Sequence, residues 1–596
     1  MFVADGSKPN VRRSIFKNAA FDPRLSGFER LRGSRLALTA LLGLWFASLA
    51  WAEDLRVLPG HVPKALAGLT AKGRLESTRE LKLAISLPLR NQAALDQLLR
   101  DIYNPASPNY RKYLTAAQFA ERFEPTEGDY QKVVKFANDH GLTVGASHAN
   151  RVILDVKGPV SKIEAALHIS MQTYQHPKES RQFFASNREP SLDPAVPIQH
   201  ISGLDDYALT HSNSIMRPVV PDASTGGSGP GGLYGGGDFR AAYLPGLRLT
   251  GAGESVCLVE FDSFYPSDID AYKSQFGLLN TPLPVAVPVD GGISSPGEHT
   301  DEVSMNIELV MAMAPGLSHI YVYECADGSS SGWIHMLNMI ATENRARQVS
   351  CSWVYGGTIP EGESIFQRMA AQGQSFFVGS GDNDAYVAAI PFPCDSPSIT
   401  VVGGTTLTTT GAGGTYVSET VWNFGDRLQQ GTHYGSGGGI STNFSIPDWQ
   451  SGVSMSHNQG STTRRNIPDV ACLAEGIFAY YGNGHSVQCV GTSCAGPLWA
   501  AFTALVNQQL ATKSLSPIGF LNPTLYAIGG EADFGKYFRD ITTGDNFWPG
   551  TSSNFSAVAG YDLCTGWGSP TTFLWGRLTG TIPIAPTGLR MVTPAP

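Results

Sequence analysis

Between Ser255 and Val402 the chain alternates short β-branched or apolar runs with amphipathic stretches at helical spacing. Strands are predicted at 255–260, 320–323, 349–353, 375–380 and 400–402, and helices at 267–276, 302–313, 332–343 and 365–372. That rhythm allows few solutions. A strand that returns parallel to its predecessor needs a crossover helix, so the pattern predicts an α/β domain, a parallel sheet flanked by helices. Such sheets gather their functional groups at the C-terminal ends of the strands.

The remaining organisation follows from composition. With 596 residues, 42% of them hydrophobic, the chain can bury a large core and should divide into more than one domain. Only 16% of residues are charged and the net charge of -9 is spread along the length, which argues against a nucleic-acid partner. Arg12 to Arg35 is rich in cations and leads into the apolar stretch Leu36 to Ala52, which closes on Ala50-Trp51-Ala52. This reads as a signal segment over residues 1–52 with cleavage before Glu53, and hence as a secreted or periplasmic protein. With about seventeen apolar residues, an uncleaved membrane anchor is the alternative. All eight cysteines lie beyond residue 250 and none forms a C-x-x-C pair, so a zinc site on cysteines is not expected. Export permits disulfides, and Cys472 with Cys489 is the first candidate pair.

Residues 53–215 read as a separate α+β domain with strands at 81–87 and 152–156 and helices at 92–102, 126–140 and 160–167. It carries no cysteine and no nucleophile–base pair, which suits a binding or chaperoning module. Residues 216–237 are dominated by proline and glycine and read as an exposed, flexible processing linker of the kind proteases cut. The α/β domain then spans 238–580, and 581–596 is a Pro-rich tail.

Three positions carry candidate chemistry. Ser493 follows Gly491-Thr492 and opens a long apolar helix, where a tight turn and free helix N–H groups suit a nucleophile. The same pattern is ordinary N-cap chemistry. Histidine is the usual base for serine, yet His299, His433, His457 and His485 all lack a suggestive context. Glu302 instead begins a helix, with Asn306 one turn along the same face. A carboxylate with a reference pKa of about 4.3 can serve as base in acid, where imidazole is protonated. It is equally at home as a first-turn acid on the helix dipole. Asp382 follows a strand and Gly381, and a protonated carboxyl there could donate to an oxyanion, although an Asp in a Gly-rich loop is commonly a turn residue.

The order of these pieces resembles the sedolisin family of serine-carboxyl peptidases, in its kumamolisin-like branch. The resemblance rests on Glu302 with its helix, Ser350 to Trp353, Gly381-Asp382, Ser436 to Ile440, Pro468 to Val470 and Gly491 to Ser493. Residues 53–215 resemble that family's activation prodomain, notably at Asn109 to Leu114 and Gly141 to Val144. The resemblance implies a subtilisin-like sheet and a zymogen whose prodomain acts as an intramolecular inhibitor or chaperone. It also implies peptide hydrolysis at acidic pH with self-removal of the prodomain. Ser493 falls on the nucleophile, Glu302 on the base and Asp382 on the oxyanion aspartate. The family's second relay carboxylate falls on Asn306, which cannot share a proton, so weakened activity or a displaced pH optimum is expected. The family's Ca²⁺ site falls on the carboxylates of Asp540 and Asp562 with the carbonyls of Ile541, Val558 and Gly560, an all-oxygen set. Trp353 with Gly356-Gly357 resembles the edge on which an extended substrate pairs. Two other readings stand beside this one: a catalytically impaired peptide-binding pseudoprotease, and a subtilisin-type peptidase using Asp262 and His299 with Ser493.

Overall fold

The computed structural model describes residues 55–212, 215–218, 226–425, 433–548 and 555–581, so the expected signal segment and nearly all of the tail lie outside the described residues. The predicted alternation forms an eight-stranded sheet. Its order is Val285–Val289, His319–Cys325, Ser255–Glu260, Gln348–Cys351, Ser375–Gly379, Thr400–Thr409 and Tyr416–Val421, with Val470–Leu473 also on Thr400–Thr409. All pairings are parallel except the last hairpin, Thr400–Thr409 with Tyr416–Val421. In this register Val256 stands opposite both Ile320 and Gln348. The strands are apolar on both faces because helices cover both.

Two helices pass through the middle of the domain. Thr300–Met313 buries every residue except Asp301, and Ala495–Thr512 buries almost all of its first four turns. A helix that is apolar nearly all round belongs inside a large core, and these two pack against each other and against the sheet. That placement makes each polar residue on them costly unless it is satisfied, and so directs attention to those they carry. Among the described residues no helix is long and apolar enough to cross a membrane.

The N-terminal domain is built on a four-stranded antiparallel sheet in the order Thr143–Ser147, Ile153–Pro159, Glu80–Ser86, His200–Ser202. Helices Glu127–Asp139 and Val160–Leu167 close one face: Tyr130, Val133, Ile163 and Leu167 pack on Leu83, Ile85, Leu154 and Val156. Helices Gln92–Ile102 and Ala116–Phe123 turn their apolar faces elsewhere. Leu95, Phe119 and Phe123 bury against Ala371 of the α/β domain, and Ile102 and Tyr103 bury against Ala370 and Phe520. Thr115 caps the second of these helices with a capping box shared with Gln118.

The expected linker divides into two kinds of structure. Ile215–Pro218 pairs antiparallel with Val487–Val490, the strand leading to Ser493. From Gly226 onward the chain is packed into the α/β domain, which corrects the reading of 216–237 as exposed and flexible throughout. Leu233 and Tyr234 are buried, and Tyr234 N–H donates to the Gly476 carbonyl at 2.8 Å. Asp238 Oδ2 accepts from Ser228 N–H, Ser228 Oγ and Gly235 N–H. Glycine here serves close approach rather than flexibility, since a Cβ on Gly235 or Gly236 would sit 2.3 Å or 2.6 Å from the Phe276 ring.

A buried ion pair ties the two domains. His200 Nδ1 of the N-terminal domain lies 3.2 Å from Glu361 Oε2, and Ser202 Oγ donates to Glu361 Oε1 at 2.9 Å. His61 stacks on His200 at 4.0 Å between ring centroids. Burial alone would lower the His200 pKa and raise that of Glu361, but each charge reverses the effect on the other, so His200 is raised and Glu361 lowered. The Glu361 contribution is therefore present above the ordinary carboxylate pKa and is lost as pH falls through its depressed value. Glu361→Gln leaves a buried imidazole without its counter-charge and is expected to weaken docking of the two domains by roughly 3 kcal/mol at pH 6. The difference from wild type should shrink toward pH 3, as read by the urea dependence of domain separation.

Candidate active site

The turn that presents Ser493 begins at Gly491, whose φ of 140° lies in a region that favours glycine. Thr492–Cys494 forms one 3-10 turn leading into the buried helix Ala495–Thr512. Thr492 joins this turn to the end of the strand Ser375–Gly379. Its N–H and its Oγ1 both donate to Asp382 Oδ1, at 2.8 and 2.7 Å, while its Oγ1 accepts from Gly381 N–H at 3.0 Å. Asp382 is thereby held beside Ser493, with Oδ2 buried and without a hydrogen-bond partner among the described residues. Burial drives the Asp382 pKa well above the usual carboxylate range; the Thr492 bonds oppose this, and the charges of Glu302 and Asp384 reinforce it. The shift favours the neutral acid, and one oxygen is uncommitted.

Glu302 and Asn306 lie one turn apart on the buried helix Thr300–Met313, and that helix packs directly on the Ser493 turn, with Met305 Sδ 3.3 Å from Cys494 Sγ. Ser352 bridges the two elements, its Oγ 2.9 Å from Asn306 Oδ1 and 3.1 Å from the Ser493 carbonyl. Ser493 Oγ makes a long contact of 3.5 Å to the Ser352 carbonyl. The structure therefore gathers Ser493, Glu302, Asn306 and Asp382 into one buried cluster at the C-terminal ends of the parallel strands.

Sequence reasoning passed over Glu260, which ends the strand Ser255–Glu260 and lies fully buried in this network. Its Oε1 accepts from Asn306 Nδ2 at 3.0 Å and its Oε2 from Trp353 Nε1 at 2.7 Å. Burial drives its pKa well up, the Trp353 and Asn306 bonds pull it down, and the Glu302 and Glu324 charges push it further up. The Asn306 amide thus ties the helix to the Glu260 carboxylate at the end of the neighbouring strand. The signal was present as a lone acid closing an otherwise apolar strand, SVCLVE, where burial on both sides makes a charge expensive. Trp353 has a buried ring whose N–H serves Glu260, and its backbone belongs to the edge strand Trp353–Tyr355.

That edge is occupied by the chain itself. Thr210–Ser212 pairs antiparallel with Trp353–Tyr355, with Ser212 opposite Trp353. Ser212 Oγ then donates to Glu302 Oε2 at 2.6 Å. With Ile215–Pro218 paired on the Ser493 strand, the segment leaving the N-terminal domain is bound on both sides of the cluster.

Other expected residues are placed as follows. Asp262 accepts backbone N–H bonds from Ser263, Gly297 and His299, each at 2.7 Å, and so fixes the loop before the Glu302 helix. The His299 ring lies edge-on to Trp353. Cys494 is buried with its pKa pushed well up, which disfavours the thiolate that a competing nucleophile would need. Cys472 and Cys489 are not joined; all eight cysteines are free and buried, and these two lie in different sheets. Near the C-terminus, Asp540 accepts from Gly560 N–H at 3.0 Å, and Asp562 accepts from the N–H groups of Val558, Cys564 and Thr565. Both carboxylates therefore face the loop 558–562. Burial raises Asp540 and pushes Asp562 up to about 7, and among the described residues neither has an ionic partner. A buried and a partly buried acid beside loop carbonyls form an oxygen set chemically suited to a hard cation.

A parallel sheet covered by helices, with a buried serine beside two carboxyl groups and a peptide strand on the adjoining edge, defines a serine-type peptidase with its activation segment still attached. Comparison with known proteins agrees. The family model "Pro-kumamolisin, activation domain" matches residues 67–207. Kumamolisin of Bacillus sp. (strain MN-32) is 29% identical over 553 residues, covering 87% of this chain and 96% of that protein. Sedolisin of Pseudomonas sp. (strain 101) is 28% identical over 564 residues, covering 90% and 93%. The solved structure of Pseudomonas sedolisin, complexed with two molecules of pseudo-iodotyrostatin, aligns with TM-score 0.51 and 26% identity over 59% of this chain and 98% of that one. The chain is thus similar to sedolisin-family peptidases over most of its length, and its residues 67–207 match a pro-kumamolisin activation domain.

Removing the Glu260 carboxylate should expose how far this network depends on it. Glu260→Ala leaves the Asn306 and Trp353 donors buried and unpaired and is expected to cost roughly 2–3 kcal/mol in chemical denaturation, with Glu260→Gln costing clearly less.

Proposed function

We propose that the chain is an exported endopeptidase zymogen that cuts peptide bonds by acyl-enzyme chemistry at acidic pH. In this reading Ser493 Oγ attacks the scissile carbonyl while Glu302 takes its proton. The Asp382 carboxyl donates from Oδ2 to the oxygen that becomes negative. Glu302 returns the proton to the departing amine, and water releases the acyl group by the same steps in reverse. The observation that carries this reading is the position of Ser212, a residue of the chain's own strand on the substrate edge whose hydroxyl sits on the carboxylate of Glu302. It supports self-inhibition by the activation domain and first cleavage between Ser212 and Gly226. Acid fits the chemistry twice, because Asp382 must keep its proton and because docking of the activation domain relies in part on the Glu361 charge. Export is supported by the basic and apolar segment before Glu53. Incubation of the purified chain near pH 4 should release a catalytic fragment that begins between residues 213 and 226 within hours, as followed by intact mass. Ser493→Ala and Glu302→Gln should abolish that release; a Ser493→Ala chain that still processes in isolation would sink the assignment.

Asn306 is the specific observation behind a second reading, a peptide-binding protein with little turnover. Its amide is engaged by Ser352 and Glu260 and can carry no charge. Asn306→Asp adds a like charge next to Glu302, which raises the pKa of that base, so the acid limb of kcat/KM should move up by roughly one pH unit. A rise in kcat alongside that shift would favour the impaired reading, and an unchanged profile would remove any role for position 306.

For Ca²⁺ we propose Asp540, Asp562 and the carbonyls of Ile541, Val558 and Gly560 as ligands. The bound ion would neutralise the buried Asp562 and the partly buried Asp540 and brace the loop 558–562. The fit of the donor set supports this. Chelation with EGTA should lower stability by about 2–3 kcal/mol relative to a hundredfold excess of Ca²⁺ over its Kd, and Asp562→Asn should remove that difference.

A further inference from the structure

The two domains also meet at a cluster that peptide hydrolysis does not use. His335 projects from the helix Ser330–Glu343 of the catalytic domain, with Nδ1 2.5 Å from Asp290 Oδ2 and Nε2 2.7 Å from Asp155 Oδ1. Asp155 belongs to the activation-domain strand Ile153–Pro159, and its other oxygen, Oδ2, lies 3.0 Å from His148 Nε2. One ligand atom from each of His148, Asp155 and His335 falls within 4.8 Å of the others. We propose that these three side chains bind a divalent transition-metal ion of the zinc type, which bridges the activation domain to the catalytic domain in the uncut chain.

The chemistry of the donors selects the ion. Two imidazole nitrogens and one carboxylate oxygen suit Zn²⁺, Ni²⁺ or Cu²⁺, whereas Ca²⁺ and Mg²⁺ take oxygen sets, so this site is chemically distinct from the loop around Asp562. Asp290 supplies the outer carboxylate that metal-bound histidines commonly have. By accepting from Nδ1–H of His335 it holds the proton on that nitrogen, so that loss of the Nε2 proton to an incoming ion frees the Nε2 lone pair as a ligand. Ligand atoms around a tetrahedral ion at about 2.0–2.1 Å are roughly 3.3 Å apart. The contacts of 2.7 and 3.0 Å already bracket that spacing from below, and the remaining gap of at most 4.8 Å between ligand atoms closes by side-chain rotation. His148, Asp155 and His335 are each only partly buried, so an ion and a water to complete its shell can reach them. Binding displaces the protons that His335 Nε2 and His148 Nε2 direct at Asp155; the first goes to solvent, and the second goes to solvent or moves to His148 Nδ1. Because His148 and Asp155 come from one domain and His335 from the other, the full donor set exists only while the domains are docked.

The test uses the full-length, tag-free chain carrying Ser493→Ala to keep it whole, at pH 7.5 with excess Ca²⁺ present. The proposal expects one equivalent of Co²⁺ to bind with the intense visible absorption of a low-coordinate nitrogen and oxygen site, and Zn²⁺ to displace it. His335→Gln and His148→Gln, on opposite domains, should each weaken Zn²⁺ binding more than tenfold by calorimetry, with a smaller loss for Asp290→Asn. Zn²⁺ should raise the melting temperature of the parent but not of the two histidine variants. No stoichiometric uptake, or uptake equal in parent and both variants, would overturn the site and leave a plain ion-pair network. Should either variant fail to fold by circular dichroism, the parent spectrum decides, since weak bands like those of aqueous Co²⁺ would equally overturn it.

Discussion

The structure depends on burying carboxyl groups around one serine. Glu260, Glu302 and Asp382 lie within a core of helices and strands, and among the described residues no ion pair offsets Glu260 or Asp382. Water would solvate these groups better, so each persists only because the surrounding fold over-determines its position. The parallel sheet is what allows this. Its strand ends place Glu260, Ser352 and Asp382 side by side, and two buried helices bring Glu302, Asn306 and the Ser493 turn down onto them. The raised pKa values of Glu260 and Asp382 are then a direct consequence of position, and they favour an Asp382 that keeps its proton beside an uncommitted oxygen.

The same arrangement explains how the uncut chain is kept silent. A site whose entrance is an open strand edge can be filled by any extended peptide, and the activation domain supplies one from its own C-terminal end. Its two inner helices and the His200–Glu361 pair hold that domain on the helix Gly362–Ala371, while the strand Thr210–Ser212 reaches the edge at Trp353. Packing of Leu233 and Tyr234 beyond the crossing anchors the other side.

Much of this was legible in the sequence because periodicity and local chemistry carried it. The helix 92–102 and the strand 255–260 agree with the structure to the residue, and the order of Glu302, Asp382 and Ser493 pointed to one chemistry before any coordinates. What escaped were long-range pairings. Glu260 gained its meaning only from Asn306 and Trp353, 46 and 93 residues away in the chain. Glycines at 235 and 236 read as flexibility because a sequence does not show Phe276 waiting against them. Cys472 and Cys489 looked adjacent along the chain, yet the fold assigns them to separate sheets. Asp262 and His299 suggested a charge-relay pair, whereas the aspartate is spent on backbone N–H groups.

The central claim is that the hydroxyl at Ser493 becomes the nucleophile. An activated peptide ester, mixed with the processed enzyme at acidic pH and quenched in strong acid within milliseconds, allows the acyl adduct to be mapped by peptide mass spectrometry. The account predicts a single adduct on Ser493, formed in a burst and absent from Glu302→Gln. An adduct on Cys494 or any other residue, or turnover with no covalent species at any time point, would contradict it.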